Sequence, residues 1–168
     1  MSRSLSRVEA ALRAAGLDPD ILACGDETRT AAQAAARAGC ALDQIAKSLV
    51  FFAARSGGLH LFLTAGGNLV EPDAASALAG EPLGRADPDL VRARTGFAIG
   101  GVAPVGHLTP LPVWIDPRLL DFDRVWAAAG TPRHIFAIPP DRLVELTGGT
   151  VAAFARPAPL PAADRPGH

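Results

Sequence analysis

The 168-residue chain carries 16 lysines and arginines together, and 15 of these are arginine; the one lysine is Lys47. Two readings of that contrast stand side by side. Lys47 is either a chance survivor on a solvated face, or it fills a site that needs a compact point charge on a flexible stem. A planar guanidinium does not supply the latter. The second stretch with chemical content is residues 100–107, Gly-Gly-Val-Ala-Pro-Val-Gly-His. Glycine and proline at this density let backbone N–H groups come close to a ligand. The loop has neither a Gly-Lys-Ser/Thr ending nor a G-x-G-x-x-G pattern, so nucleotide-binding readings are weak. Taken alone, it also reads as a plain turn. His107 closes it, either as a catalytic group or as a loop histidine held for structure.

Other chemistries have less support. No G-x-S-x-G elbow occurs, and neither Cys24 nor Cys40 sits beside an obvious base, which argues against a nucleophile triad. The two cysteines lack C-x-x-C spacing and read as small thiols in a reducing compartment. No cluster of Cys, His and carboxylate has metal-ligand spacing, so neither a metal nor another cofactor is expected. His60 and His134 read as structural strand residues, and Asp116, Asp121 and Asp123 as capping groups. The net charge of −1 excludes a long basic stripe for a nucleic-acid backbone, so no DNA is expected and any RNA is touched over a small part. The apolar runs are too short to span a bilayer, and the N-terminus lacks a signal-type apolar core. A cytoplasmic protein without a membrane partner is the expectation.

These residues need elements to position them. Residues 4–15 carry apolar side chains at helical spacing up to Gly16. Residues 21–24 form a short strand candidate. Thr30-Ala-Ala-Gln33 has capping-box form and opens an alanine-rich helix that stops at Gly39. A helical turn over 42–46 delivers Lys47 to the start of a strand. Residues 48–54 and 59–64 flank a Gly-containing turn and read as a hairpin. Helices are expected over 72–79, 88–94, 122–129 and 140–146, and strands over 112–116 and 134–138. Without regular βαβ alternation the fold class is α+β, with a mostly antiparallel sheet curled toward a barrel and flanking helices. One domain is expected over residues 1–155, and residues 156–168 read as a Pro-rich disordered tail.

Lys47 within Gln44-Ile-Ala-Lys-Ser-Leu-Val50, together with Gly100-Gly-Val-Ala-Pro-Val-Gly-His107, resembles the YbaK/ProX family of aminoacyl-tRNA editing proteins. That family is related to the insertion domain of bacterial prolyl-tRNA synthetases. Further echoes are the capped helix at Thr30, Gly66-Gly67-Asn68, and Ala129-Gly-Thr-Pro132. The resemblance covers about residues 5–150. It implies a mixed, partly barrel-like sheet and a lysine, here Lys47, that positions the acceptor end of the tRNA in the catalytic site. It implies a G-x-x-x-P loop, matched by Gly100 and Pro104, that shapes the amino-acid pocket. On this reading Gly100, Gly101, Val102, Ala103, Pro104, Gly106 and His107 bind substrate. Asn68 departs from the pattern, since an aspartate is expected there in many relatives.

The activity so implied is trans-editing: hydrolysis of the ester in a mischarged tRNA. The expected substrate is tRNA-Pro carrying alanine, cysteine or 2-aminobutyrate. Such an ester is already activated, so holding it and orienting a water matter more than a protein nucleophile. Backbone donors of the glycine loop can serve a developing oxyanion. The expected partners are the aminoacyl-tRNA acceptor end and, as a candidate, prolyl-tRNA synthetase. A non-catalytic module that binds the aminoacyl-tRNA end or a small ligand in the same pocket is the competing reading.

Overall fold

The computed structural model describes residues 3–25 and 30–159. Helix α1 (Arg3–Ala14) is followed by β1 (Ile21–Ala23), α2 (Ala31–Ala38) and a 3-10 turn at Leu42–Gln44. Next come the long hairpin β2 (Ile45–Ala53) and β3 (Leu59–Ala65), then β4 (Asn68–Val70), α3 (Pro72–Ala79) and β5 (Leu83–Arg85). Helix α4 (Pro88–Thr95) precedes the loop over 96–112, β6 (Val113–Ile115) and a second 3-10 turn at Pro117–Asp121. The described residues end with β7 (Val125–Ala128), β8 (His134–Ile138), α5 (Pro140–Thr147), β9 (Thr150–Val151) and β10 (Ala155–Pro157).

Helix boundaries follow local chemistry. The Thr30 hydroxyl accepts from the Gln33 N–H and the Gln33 amide accepts from the Thr30 N–H, the reciprocal pair that Thr-Ala-Ala-Gln predicts. Helices α3, α4 and α5 each start on a proline, whose missing N–H costs nothing in the first turn.

The main sheet runs β1-β8-β7-β2-β3-β6-β9, with β5 also on β2. β2–β7, β3–β6 and β6–β9 are parallel and the other pairs antiparallel, so the α+β class stands with a mixed sheet. The path has two ends, β1 and β9, and no pair closes it into a barrel among the described residues. The main core packs Val8 and Leu12 of α1, Phe97, and Leu143 of α5 against β3, β6, β7 and β8. A second cluster joins Ala34 and Ala35 of α2 to Ile45, Trp126 and Ile135. A third gathers Phe62, Ala75 and Phe154.

Two expectations are corrected. Residues 122–129 do not form a helix: Val125–Ala128 is the strand β7, paired with β2 on one side and β8 on the other. A strand buried on both faces shows no alternation, so its Ala- and Trp-containing run looks like a buried helix. The tail expected from Arg156 onward is in part a strand. Arg156 and Pro157 pair with Leu69 and Asn68, and Arg156 Nε reaches Glu71 Oε1 at 2.8 Å. Proline is tolerated there because this ladder has only two strands and both are edges. Residues 160–168 of that tail lie outside the described residues.

Candidate functional site

Lys47 is the third residue of β2, three residues after the 3-10 turn ends, so the turn delivers it to the start of a strand as the sequence predicts. Its Nζ donates to the Asn68 carbonyl at 2.5 Å. Asn68 is itself held, its Nδ2 donating to Asp116 Oδ2 at 2.8 Å. Asp116 is only 3% exposed, and it also accepts from the N–H groups of Ala65 and Arg118. Asp43 accepts from the Gly67 N–H and from Arg118 Nε, tying the turn at 66–67 to the same network. Asn68 therefore has a clear physical role. Its amide donates to Asp116, where a second carboxylate would need a shared proton to do so. Gly66 is required here, because a Cβ would lie 2.1 Å from the Leu42 carbonyl oxygen. Burial lowers the Lys47 pKa, opposed by the negative charges of Asp43 and Asp116.

Beside Lys47 lies a cleft of about 280 Å³. Thr30, Ala31 and Ala34 of α2 form one wall, and Ile45 to Leu49 of β2 form another. Trp126, Ala127 and Ala128 of β7, Ile135 and His134 of β8, and Thr131 continue the lining, and Ile99, Gly100 and Val102 complete it. Lys47, Gly100 and Val102 are thus brought together. Gly101, Ala103, Pro104, Gly106 and His107 do not line the cleft. Gly101, Ala103, Pro104 and Val105 are buried behind it.

The loop is held from behind. A Cβ on Gly101 would come within 2.8 Å of the Thr131 carbonyl carbon, so glycine allows the loop to pack on the 131–132 backbone. The Gly101 N–H donates to the Ala98 carbonyl, which removes it as an oxyanion donor. His107 Nε2 donates to the Ala103 carbonyl at 2.7 Å, and its ring stands edge-on to Phe97. Burial lowers the His107 pKa, and the bond to Ala103 opposes that shift. Arg7 of α1 reaches the Gly96 and Gly106 carbonyls and stacks over Phe97. His107 is accordingly a brace across the loop.

Sequence reasoning missed His134 and Thr131 as cleft residues. Thr131 Oγ1 and His134 Nδ1 are 2.6 Å apart, and the same hydroxyl accepts from the Arg133 N–H. The signal was a Thr and a His three apart after a glycine, which is faint without knowing that β7 is a strand. Among the described residues no group of His, Cys and carboxylates could hold a metal, and no helix is long and apolar enough to cross a membrane. Cys24 and Cys40 are free thiols whose pKa values burial raises.

Residues 26–146 match the aminoacyl-tRNA editing domain family. YwhH of Bacillus subtilis (strain 168), an uncharacterized protein, is 30% identical over 130 residues, covering 76% of this chain and 81% of its own. A solved structure of a candidate trans-editing enzyme for prolyl tRNA synthetase is 45% identical. It superposes with a TM-score of 0.86 over 93% of this chain and 99% of the other. The hypothetical protein APE2540 is 31% identical with a TM-score of 0.81, over 89% of this chain and 99% of the other. Sequence match and shared fold over nearly the whole described chain agree: this protein belongs to the aminoacyl-tRNA editing domain family.

Proposed function

We propose that this protein is a trans-editing aminoacyl-tRNA deacylase that hydrolyses the ester of a mischarged tRNA, with tRNA-Pro carrying a small wrong amino acid as its substrate. The observation that carries the reading is the meeting of Lys47 with Gly100 and Val102 around one small, mainly apolar cleft. The cleft is of a size for an amino-acid side chain with part of its ester. Lys47, fixed by Asn68 and Asp116, anchors a phosphate or ribose oxygen of the acceptor end as a point charge. Apolar Val102, Ile45 and Ile135 favour small uncharged side chains and disfavour acidic or basic ones. Editing is needed because one methylene is worth only about 1–3 kcal/mol to a synthetase pocket. The near-neutral chain fits a protein that handles a free CCA end, with a synthetase holding the tRNA body. A cytoplasmic location follows from the same reading.

The test is a panel of mischarged tRNAs incubated with the purified protein, with ester loss followed over time. Alanyl-, cysteinyl- or 2-aminobutyryl-tRNA-Pro should be cleared well above the uncatalysed rate, and glutamyl- or lysyl-tRNA should not. Binding of these tRNAs without ester loss would instead establish the non-catalytic module.

A further inference from the structure

The edge of β2 that faces the cleft is interrupted. β7 pairs with it at Ile45 and Ala46, and β5 at Phe51 to Ala53. Residues 47–50, roughly 13 Å of extended chain, lie between those two registers without a ladder partner on that side. Backbone direction in this gap is fixed by the hairpin. The Ala53 N–H donates to Gly58 and its carbonyl accepts from Gly57, so Ala53 faces β3. Alternation then turns the N–H and C=O of Ser48 away from β3 and into the gap. The opposing strand agrees, because Leu63, directly across from Ser48, gives its carbonyl to Asp116 on the β6 side. Ser48 also holds the one buried side-chain polar atom without a hydrogen-bond partner among the described residues, its Oγ. An orphan hydroxyl of this kind costs stability and calls for an explanation.

We infer that Ser48 is the docking residue for the aminoacyl group, which adds to the β2 edge as a single antiparallel strand residue. This inference rests on the deacylase reading above. In an antiparallel hydrogen-bonded pair, two residues exchange both of their N–H···O bonds. An α-aminoacyl ester carries the same two groups on one Cα. Its ammonium donates to the Ser48 carbonyl, and its ester carbonyl accepts from the Ser48 N–H. Main-chain pairing is blind to the side chain, which leaves the apolar lining to discriminate. It also supplies the oxyanion donor that the Gly101 N–H, committed to Ala98, cannot. In the chemical step a water oxygen bonds to the ester carbon, whose carbonyl oxygen gains negative charge and accepts from the Ser48 N–H. The bond from carbon to the ribose oxygen then breaks, and the ribose oxygen takes up the proton lost by the water. The ligand class is a free-amino α-aminoacyl ester of a 3′-terminal adenosine. N-acylated and 2-hydroxyacyl esters lose the ammonium and with it the bond to the Ser48 carbonyl.

The experiment uses the whole chain labelled with nitrogen-15 and a non-hydrolysable probe, 3′-alanylamino-3′-deoxyadenosine. The Ser48 amide resonance should move downfield and its hydrogen exchange should slow on binding, while the N-acetylated probe should bind at least about tenfold more weakly. Ser48→Ala should melt at an equal or higher temperature, because it removes a buried hydroxyl without a partner. A Ser48 amide indifferent to a bound probe, in a protein that still deacylates through Lys47, overturns this inference and leaves the deacylase reading intact. Failure to deacylate any aminoacyl-tRNA overturns that reading, while the probe still reports on Ser48.

Discussion

The two banks of the cleft are built on opposite principles. On the β2 bank, polar groups are tied into a chain: Lys47 to Asn68, Asn68 to Asp116, Asp116 to Arg118, and Arg118 to Asp43. On the other bank, residues 99–107 put Ile99, Gly100 and Val102 on the cleft, bury Gly101 and Ala103 to Val105, and leave Gly106 and His107 half-buried. The first bank holds a charge at a fixed point, where small displacement is costly. The second presents shape, and its polar group, His107, looks inward to brace the backbone. On the proposed reading, chemistry and fit are thereby separated onto elements that can vary independently.

The sharpest way to break this division is at Lys47. Lys47→Ala should lower single-turnover deacylation by about a hundredfold or more, and Lys47→Arg should be nearly as poor, because a bulkier planar head displaces the held group by on the order of an ångström. Melting temperatures of both variants should stay near wild type. Arginine with near-native activity would mean that charge alone matters on this bank, and alanine with native activity would remove the lysine from the site.

A smaller, mixed effect is expected on the loop bank. In Gly101→Ala the new Cβ must push away the Thr131–Pro132 backbone, costing about 1–3 kcal/mol by overpacking. Because that movement changes the cleft's width, the preference among alanyl, 2-aminobutyryl and cysteinyl esters should shift more than the overall rate. A stable variant with unchanged preferences would show that this loop does not set the fit.

The smallest effect is in pH dependence. Burial lowers the His107 pKa in the folded state, so the unfolded chain binds the proton more readily between that value and the ordinary 6.5. Stability therefore falls as pH drops below about 6.5, and levels off once the folded-state value is passed. His60, buried and accepting from Trp114 Nε1 at 3.1 Å, adds to the same acid slope. Denaturant melts from pH 7.5 to 5 should show His107→Gln with a shallower slope than wild type, while its deacylation rate at neutral pH stays within a few-fold. A large loss of rate at pH 7.5 would give His107 chemical duties and erase the contrast between the banks.

How much of this could be read from the sequence differs between the banks. The lysine stood out through residue usage, and the turn that delivers it was visible in the hydrophobic pattern. Helices with a Thr-Ala-Ala-Gln cap or a leading proline were legible because their ends are fixed by local hydrogen bonds. β7 was not, since nothing local distinguishes a doubly buried strand from a buried helix, and with it went the cleft wall of Trp126 to Ala128. The glycine loop was found, but its direction was not. Whether a backbone N–H faces a ligand or the Ala98 carbonyl is decided by packing against the 131–132 segment, about 30 residues away in sequence.

The short ladder between β10 and β4 gives the chain's last described residues leverage over its most sensitive point. Pro157 lies opposite Asn68, and the Ala158 N–H donates to the Gly67 carbonyl, so the same turn that receives the Lys47 ammonium is strapped by residues far along the chain. A gene fragment cut at residue 146, where the family match stops, would keep every cleft-lining side chain and yet lose this strap. Its product would look complete in an alignment while holding its lysine loosely. For anyone choosing cloning boundaries, the unit that holds Lys47 is therefore longer than the segment the family match covers.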